Sequence, residues 1–368
     1  MNTAPFVPYR VELEPLTPVH IGSGQTIEPY EYDLAEDPEQ CWLVVLDPGA
    51  VVAEASPAQR AVFERLCEGN DFPALRRWLR QNADRQRHMR FRILVHENAF
   101  GQIRKNLDAP ARLGEIHLFT RDPATGRPWL PGSSIKGAIR TALVDAAARQ
   151  DRRRAEELEQ VARTEGNRRQ GAVRFEARAL GYAKGDGWPD LRRDPFRQLA
   201  IADALLPEDA CWIDRVQIVG PRGRPPSAAG DIPIYRDLLV PPFDEGTPLA
   251  AAEVRWHWAV ARRGLPREIE PKVICEACNN FYVPRLEKEL KRFVADRDLS
   301  RRLLDRAGKM ADNECLIRLG RHSHFECVTV GKPFHQPPRR GFGRSRSYAG
   351  GQLPLGWMRL AFHRRVPP

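Results

Sequence analysis

Several stretches of this chain carry residues able to do chemistry. In Pro131-Gly132-Ser133-Ser134-Ile135-Lys136-Gly137-Ala138-Ile139-Arg140, a tight turn runs into the start of an apolar helix. The unpaired N–H groups and partial positive charge of a helix start suit it to phosphate. Ser133 or Ser134 can cap that end, and Lys136 and Arg140, four apart, share a helix face. His20 stands beside a glycine turn in Pro18-Val19-His20-Ile21-Gly22-Ser23-Gly24, where an imidazole can serve as general base toward a ribose 2′-OH or can simply position the loop. The carboxylates Glu28, Glu31 and Asp33 follow, the residue type that holds Mg²⁺ against a scissile phosphate. Cys275-Glu276-Ala277-Cys278 has the spacing of half a zinc site, with Cys315, His322, His324 and Cys327 as the available complement. Its helical, apolar surroundings favour two small core residues instead, so no metal is expected.

The last of these stretches is basic. From Arg318 to Pro368 there are ten Lys/Arg and one acidic residue, Glu326, so most of the formal net charge of +10 lies there. Within it, Arg339, Arg340, Arg344 and Arg346 alternate with glycines, Phe342 and Tyr348, and the Arg339–Gly351 segment is expected to be mobile in the free chain. Glycine lets the backbone approach a phosphate, arginine neutralises it, and an aromatic ring stacks on an unpaired base. A nucleotide P-loop is excluded because no G-K-[ST] opens a helix.

The elements that must position these residues read as a mixture. Strands are expected at 10–14, 42–46, 89–95, 114–119, 199–204, 212–219, 253–261, 315–319 and 327–330, with another returning to the core around 353–360. Helices are expected at 56–86 (broken at 71–73), from 132 to about 149, at 272–295 and at 299–311. Residues 22–29 read as an irregular hairpin or loop, 151–170 as a solvated helix or mobile insertion, and 221–230 as a Pro/Gly/Arg loop. No repeat of solenoid or propeller period is present. The pattern predicts an α+β chain. Residues 1–262 form a core with insertions near 50–88, 150–195 and 220–235; residues 263–368 supply helices, short strands and a basic Gly-rich tail that packs back on the core. Seven cysteines, no exporting start in Met1–Arg10 and no long apolar run point to a cytoplasmic chain with reduced thiols and no membrane partner.

Four blocks together resemble the RAMP proteins of CRISPR–Cas effector complexes. They are Leu16–Gly24, the Pro131–Ala142 signature, Asp194-Pro195-Phe196-Arg197 leading to Asp203, and Leu316-Ile317-Arg318-Leu319-Gly320-Arg321-His322-Ser323-His324 ahead of a Gly-rich tail. The last two favour the subunit that caps a type III-A complex near the crRNA 3′ end. The resemblance implies a ferredoxin-like, RRM-type core and a non-catalytic subunit that binds crRNA and supports its maturation. The implied protein partners are the adjacent backbone RAMP subunit, a small helical subunit and a recruited nuclease. Expected RNA contacts are His20, Ser23, Ser133, Ser134, Lys136, Arg140, Arg318, Arg321 and the four tail arginines; no cofactor is expected. Two alternatives follow from RAMP relatives. One is metal-independent cleavage of crRNA precursors with His20 as base. The other is metal-dependent target cleavage through Asp33 or Glu28, which the missing paired glycines and the presence of Pro29 disfavour.

Overall fold

The computed structural model describes residues 6–107, 114–149, 156, 168–224, 233–244, 246–257, 269–328, 330 and 344–365. Along the chain the strands are β1 (Val7–Pro15), β2 (Gly22–Ile27), β3 (Tyr32–Glu36), β4 (Cys41–Leu46), β5 (Met89–Val95), β6 (Ile116–Phe119), β7 (Trp129–Leu130), β8 (Leu199–Ile201), β9 (Ala204–Leu205), β10 (Cys211–Val219), β11 (Ile234–Leu239), β12 (Ala250–Trp256), β13 (Glu314–Arg318), β14 (Arg346–Ala349), β15 (Leu353–Pro354) and β16 (Trp357–Arg364). The helices are α1 (Pro48–Glu54), α2 (Pro57–Glu68), α3 (Phe72–Asn82), α4 (Glu97–Asn106), α5 (Gly132–Arg149), α6 (Arg168–Ala179), α7 (Pro271–Phe293), α8 (Arg297–Gly308) and the short α9 (His324–Val328).

Two sheets carry the molecule. The first has the order β13-β16-β1-β12-β8, and the second β2-β6-β11-β10-β5-β4-β3, with β14 also pairing with β10 and β15 with β14. β1 alternates as the sequence requires: Val11 and Leu13 are buried, and both neighbours, β12 and β16, run antiparallel to it. The expected α+β class holds. Every pair in the first sheet is antiparallel. Parallel pairing occurs in the second sheet, at β5–β10 and β6–β11.

α5 packs its Ile135, Ile139, Ala142 and Leu143 into the main core, against α7, whose buried Tyr282 donates its hydroxyl to the Ala138 carbonyl. Gly132 is required where α5 starts, because a Cβ there would lie 2.3 Å from the Ile201 carbonyl oxygen. β13 and β16 enter the first sheet beside β1, while β14 joins the second sheet beside β10, so the C-terminal strands tie the two sheets together.

Three local expectations need correction. Residues 22–27 are a strand paired with β6, where an irregular hairpin or loop was expected. Residues 324–328 are a helical turn rather than a strand. The Glu326 carbonyl accepts from Arg285 and Cys327 is buried, so tertiary contacts override the β propensity of Val328-Thr329-Val330. Residues 346–349, expected to be mobile, form β14, with Tyr348 only 1% exposed and Arg346 ion-paired to Glu326. Arg339 and Arg340, and most of 151–170, lie outside the described residues.

Candidate nucleic-acid interface

A cleft of about 530 Å³ opens where three of the four sequence blocks meet. His20 to Gln25 form one wall, α5 contributes Ser134, Gly137, Ala138 and Thr141, and Arg318 to Arg321 with Ser323 close the other side. Strands of the second sheet add His117 from β6 and Arg236 from β11. The walls are pinned together through His20. Its carbonyl accepts from the Arg321 N–H at 2.9 Å, and Gly320, at φ +86°, sits so close that a Cβ would come within 2.1 Å of that oxygen.

Arg236 is the cleft's distinguishing group. It is only 5% exposed, yet no carboxylate lies within ion-pair distance among the described residues and its Nε has no hydrogen-bond partner. Burial and the nearby Arg321 push its guanidinium down to about 10 from the usual 12.5. Its Nη1 lies 3.1 Å from His20 Nε2. His20 Nδ1 lies 2.8 Å from the Asp237 carbonyl, which can only accept, so this nitrogen carries the proton and Nε2 receives the hydrogen bond from Arg236. Burial lowers His20 to about 4. The neighbouring His322 is lowered to about 3 by burial, with Arg236 and His20 adding to the effect, and His117 is also lowered, by burial and by Arg236. Arg236 and Arg321 thus face a space able to hold an anion, among histidines held neutral by their surroundings.

Beneath Arg236, Asp237 is fully buried and forms a two-pronged pair with Arg121 at 2.6 and 3.0 Å, while also accepting from the Phe119 N–H. This pair fixes the strand from which Arg236 projects. An Arg-Asp dipeptide inside the apolar run Ile234-Tyr235-Arg236-Asp237-Leu238-Leu239 is the sequence signal for it, and it was missed.

The expected contact residues divide sharply. His20, Ser23, Ser134, Arg318 and Arg321 line the cleft. Ser23 and Arg321 are exposed, and Ser133 is exposed at the helix start. Lys136 and Arg140 do not line it and serve the fold instead. Lys136 Nζ donates to the Leu199 carbonyl at 2.6 Å. Arg140 pairs with Glu176 and with Asp194 at 3.1 Å, donates to the Tyr182 hydroxyl, and stacks 4.7 Å from the Phe196 ring centroid. The Asp194-Pro195-Phe196 block is therefore the anchor of α5. Arg318 lines the cleft but its guanidinium is already engaged: it pairs with Glu289, donates to the Leu355 carbonyl at 3.1 Å and packs over Trp357. Arg346 is held by Glu326 and Phe293. Arg344 is exposed.

The other catalytic candidates lie away from the cleft. Asp33 pairs with Arg85, and the Glu31 carboxylate accepts the Glu28 N–H at 2.8 Å. Cys275 and Cys278 are buried beside Cys315, whose contact raises the Cys275 thiol, and among the described residues no three His, Cys, Asp or Glu side chains converge as a metal site. No described helix is long and apolar enough to cross a membrane.

A cleft assembled from a glycine loop, a signature helix and paired sheets defines a class, and the chain belongs to the RAMP superfamily, whose family model matches residues 12–294. Within that superfamily it is similar to the CRISPR system Cms protein Csm5 of Mycobacterium tuberculosis, at 26% identity over 260 residues. That match covers 66% of this chain and 65% of the relative, so the chain spans about two thirds of the length of the curated relatives it matches. A protein of the same description from Streptococcus thermophilus is 30% identical over 148 residues, 37% of this chain and 38% of that one. A chain of a cryo-EM Csm–crRNA–target RNA ternary complex from a type III-A CRISPR–Cas system shares the fold with a TM-score of 0.64 at 19% identity, covering 97% of this chain and 100% of that one. The crystal structure of Csm5 from T. onnurineus gives 0.56 at 16% identity, covering 95% and 99%.

Proposed function

We propose that this chain is a non-catalytic, crRNA-binding subunit of a type III-A CRISPR–Cas complex. In this reading it caps the filament near the crRNA 3′ end, supports crRNA maturation in the cytoplasm, and contacts the adjacent backbone RAMP subunit and the small helical subunit. The observation that carries the reading is Arg236: a buried cation with no carboxylate at ion-pair distance among the described residues, facing a cleft beside His117 and Arg321. A backbone phosphate supplies the missing counter-charge without reading sequence, which suits a guide whose spacer varies.

The state of His20 supports the non-catalytic assignment. A base with a pKa of about 4, whose lone pair is occupied by Arg236, has little power to deprotonate a 2′-OH at neutral pH. The test is to incubate the purified chain with single-stranded repeat RNA, with and without Mg²⁺, and to measure retention and integrity of the RNA together. Binding with intact RNA in both conditions is expected. Cleavage without metal that disappears in His20→Gln would overturn the non-catalytic assignment, and absence of binding would overturn the RNA-binding one.

A further inference from the structure

The C-terminal end of β11 leads away from the cleft into a second, chemically opposite concavity. It measures about 780 Å³ and its walls include Trp212, Val240, Pro242 and Leu249. Five carboxylates line it, those of Asp37, Glu39, Glu97, Asp209 and Asp244, with no lysine or arginine among the lining residues. None of the five is ion-paired among the described residues. Asp37 accepts the N–H groups of Glu39 and Gln40 and the Trp42 indole, which orients its carboxylate without neutralising it. In a chain of formal net charge +10, this is a local reversal of sign.

The groove also presents an aromatic anchor. Phe243 is 93% exposed, its ring centroid 6.1 Å from that of Trp212. It follows Pro241 and Pro242, whose fixed φ angles stiffen the stalk that holds it out, so little freedom is left to lose when it is covered. The same Pro241–Phe243 ridge borders a smaller groove of about 210 Å³, where Leu16, Leu299 and Leu303 are flanked by Glu14, Arg302 and Arg306. An exposed phenylalanine beside a concavity rimmed by unpaired acids is the complement of a chain segment that places an apolar side chain between basic ones.

We propose that this groove docks a lysine- or arginine-flanked apolar segment of a partner protein. Nucleic acid is disfavoured here by the five carboxylates. The identity of the partner as a neighbouring protein subunit of the complex rests on the functional reading above; the chemistry of the groove does not.

The test uses the full chain, its RNA and the other protein subunits of its complex. Phe243→Ser and the double variant Asp209→Lys plus Asp244→Lys change exposed side chains, so thermal stability should stay at the wild-type value. Incorporation is measured by titrating each variant into reconstituted complexes, and RNA affinity is measured separately on the free chain. Each variant should raise the concentration needed for half-incorporation at least tenfold and leave RNA affinity within twofold. The charge-reversed variant should also lose the salt sensitivity of incorporation. Incorporation at wild-type concentrations in both variants would overturn the docking proposal. Parallel loss of RNA affinity would also overturn it and assign the groove to RNA. Failure of the wild-type chain to enter the complex overturns the functional reading instead, and is seen before any variant is made.

Discussion

Replacing Arg236 with glutamine separates a ligand-binding arginine from a structural one. A charge-assisted contact to a phosphate contributes about 1.5–3 kcal/mol, so RNA affinity should fall roughly 10- to 150-fold. Loss of one phosphate contact on a single strand should also flatten the log–log salt dependence by about 0.7. Stability should move the other way. The folded pKa of about 10 lies below the ordinary 12.5, so the folded state binds this proton less well than the unfolded chain does. That penalty is fully present below pH 10 and disappears only as pH rises through 12.5. At neutral pH it amounts to something on the order of 2 kcal/mol against folding. Glutamine removes the charge and keeps a donor for His20 Nε2, so the midpoint of thermal unfolding should hold or rise by a few degrees. Fluorescence anisotropy with a labelled single-stranded RNA at several salt concentrations, alongside calorimetry, reads both quantities. A variant that unfolds earlier and binds RNA as before would refute the reasoning, because Arg236 would then be part of the scaffold.

Arg140→Ala should behave in reverse, costing about 2 kcal/mol in urea denaturation by leaving Glu176 and Asp194 without their cation, while RNA affinity of the folded protein stays unchanged. Gly320→Ala, at a positive φ and against the His20 carbonyl, should cost about 3 kcal/mol or more and also impair RNA binding, whereas Gly24→Ala, also at positive φ but with open space around it, should cost about 1 kcal/mol; chemical denaturation compares the two. The depressed pKa values of His20 and His322 mean that the unfolded chain binds more protons below pH 6.5, so unfolding free energy should fall with pH from there toward 4. The slope should reach up to about 1.4 kcal/mol per pH unit for each histidine, and pH-dependent denaturation should lose part of it in His20→Gln. Hydrogen exchange on the free chain should show protection at Gln217–Val219 and at Arg346–Ala349, whose strands pair; rapid exchange there would place β14 formation in the complex instead.

Much of the scaffold was legible because its elements obey simple periods. β1, β4, β5 and β10 alternate or run apolar, and α5, α7 and α8 carry helical spacing. The three blocks that build the cleft were each visible as a motif, and their convergence is what the structure adds. What was not legible depends on contacts made far away in the chain. Lys136 and Arg140 looked like free cations because spacing tells which residues share a helix face, not what that face meets. Here it meets the Leu199 carbonyl and the Asp194 block. The arginine tail misled in the same way: Arg346 is neutralised by Glu326, the one acid in the C-terminal stretch. β2 was read as an irregular hairpin or loop because its glycines lack strand propensity, and β6 supplies the pairing that overrides it. Arg236 and His117 stayed hidden inside short strands that burial alone marks as unusual.

The position of β1 sets an order of events during synthesis. Its two neighbours, β12 and β16, are made long after it, and Trp357 supplies the carbonyl that receives the Leu16 and Thr17 N–H groups. While the ribosome is still reading the middle of the message, the first strand has both edges open and the loop bearing His20 has nothing to rest on. The cleft comes into being only once residues 314–364 have emerged and closed the sheet. Any ligand of the cleft therefore meets a finished chain rather than a nascent one, and such long-range closure makes for slow folding. During that interval the open strand edges are the part of the chain most in need of a chaperone.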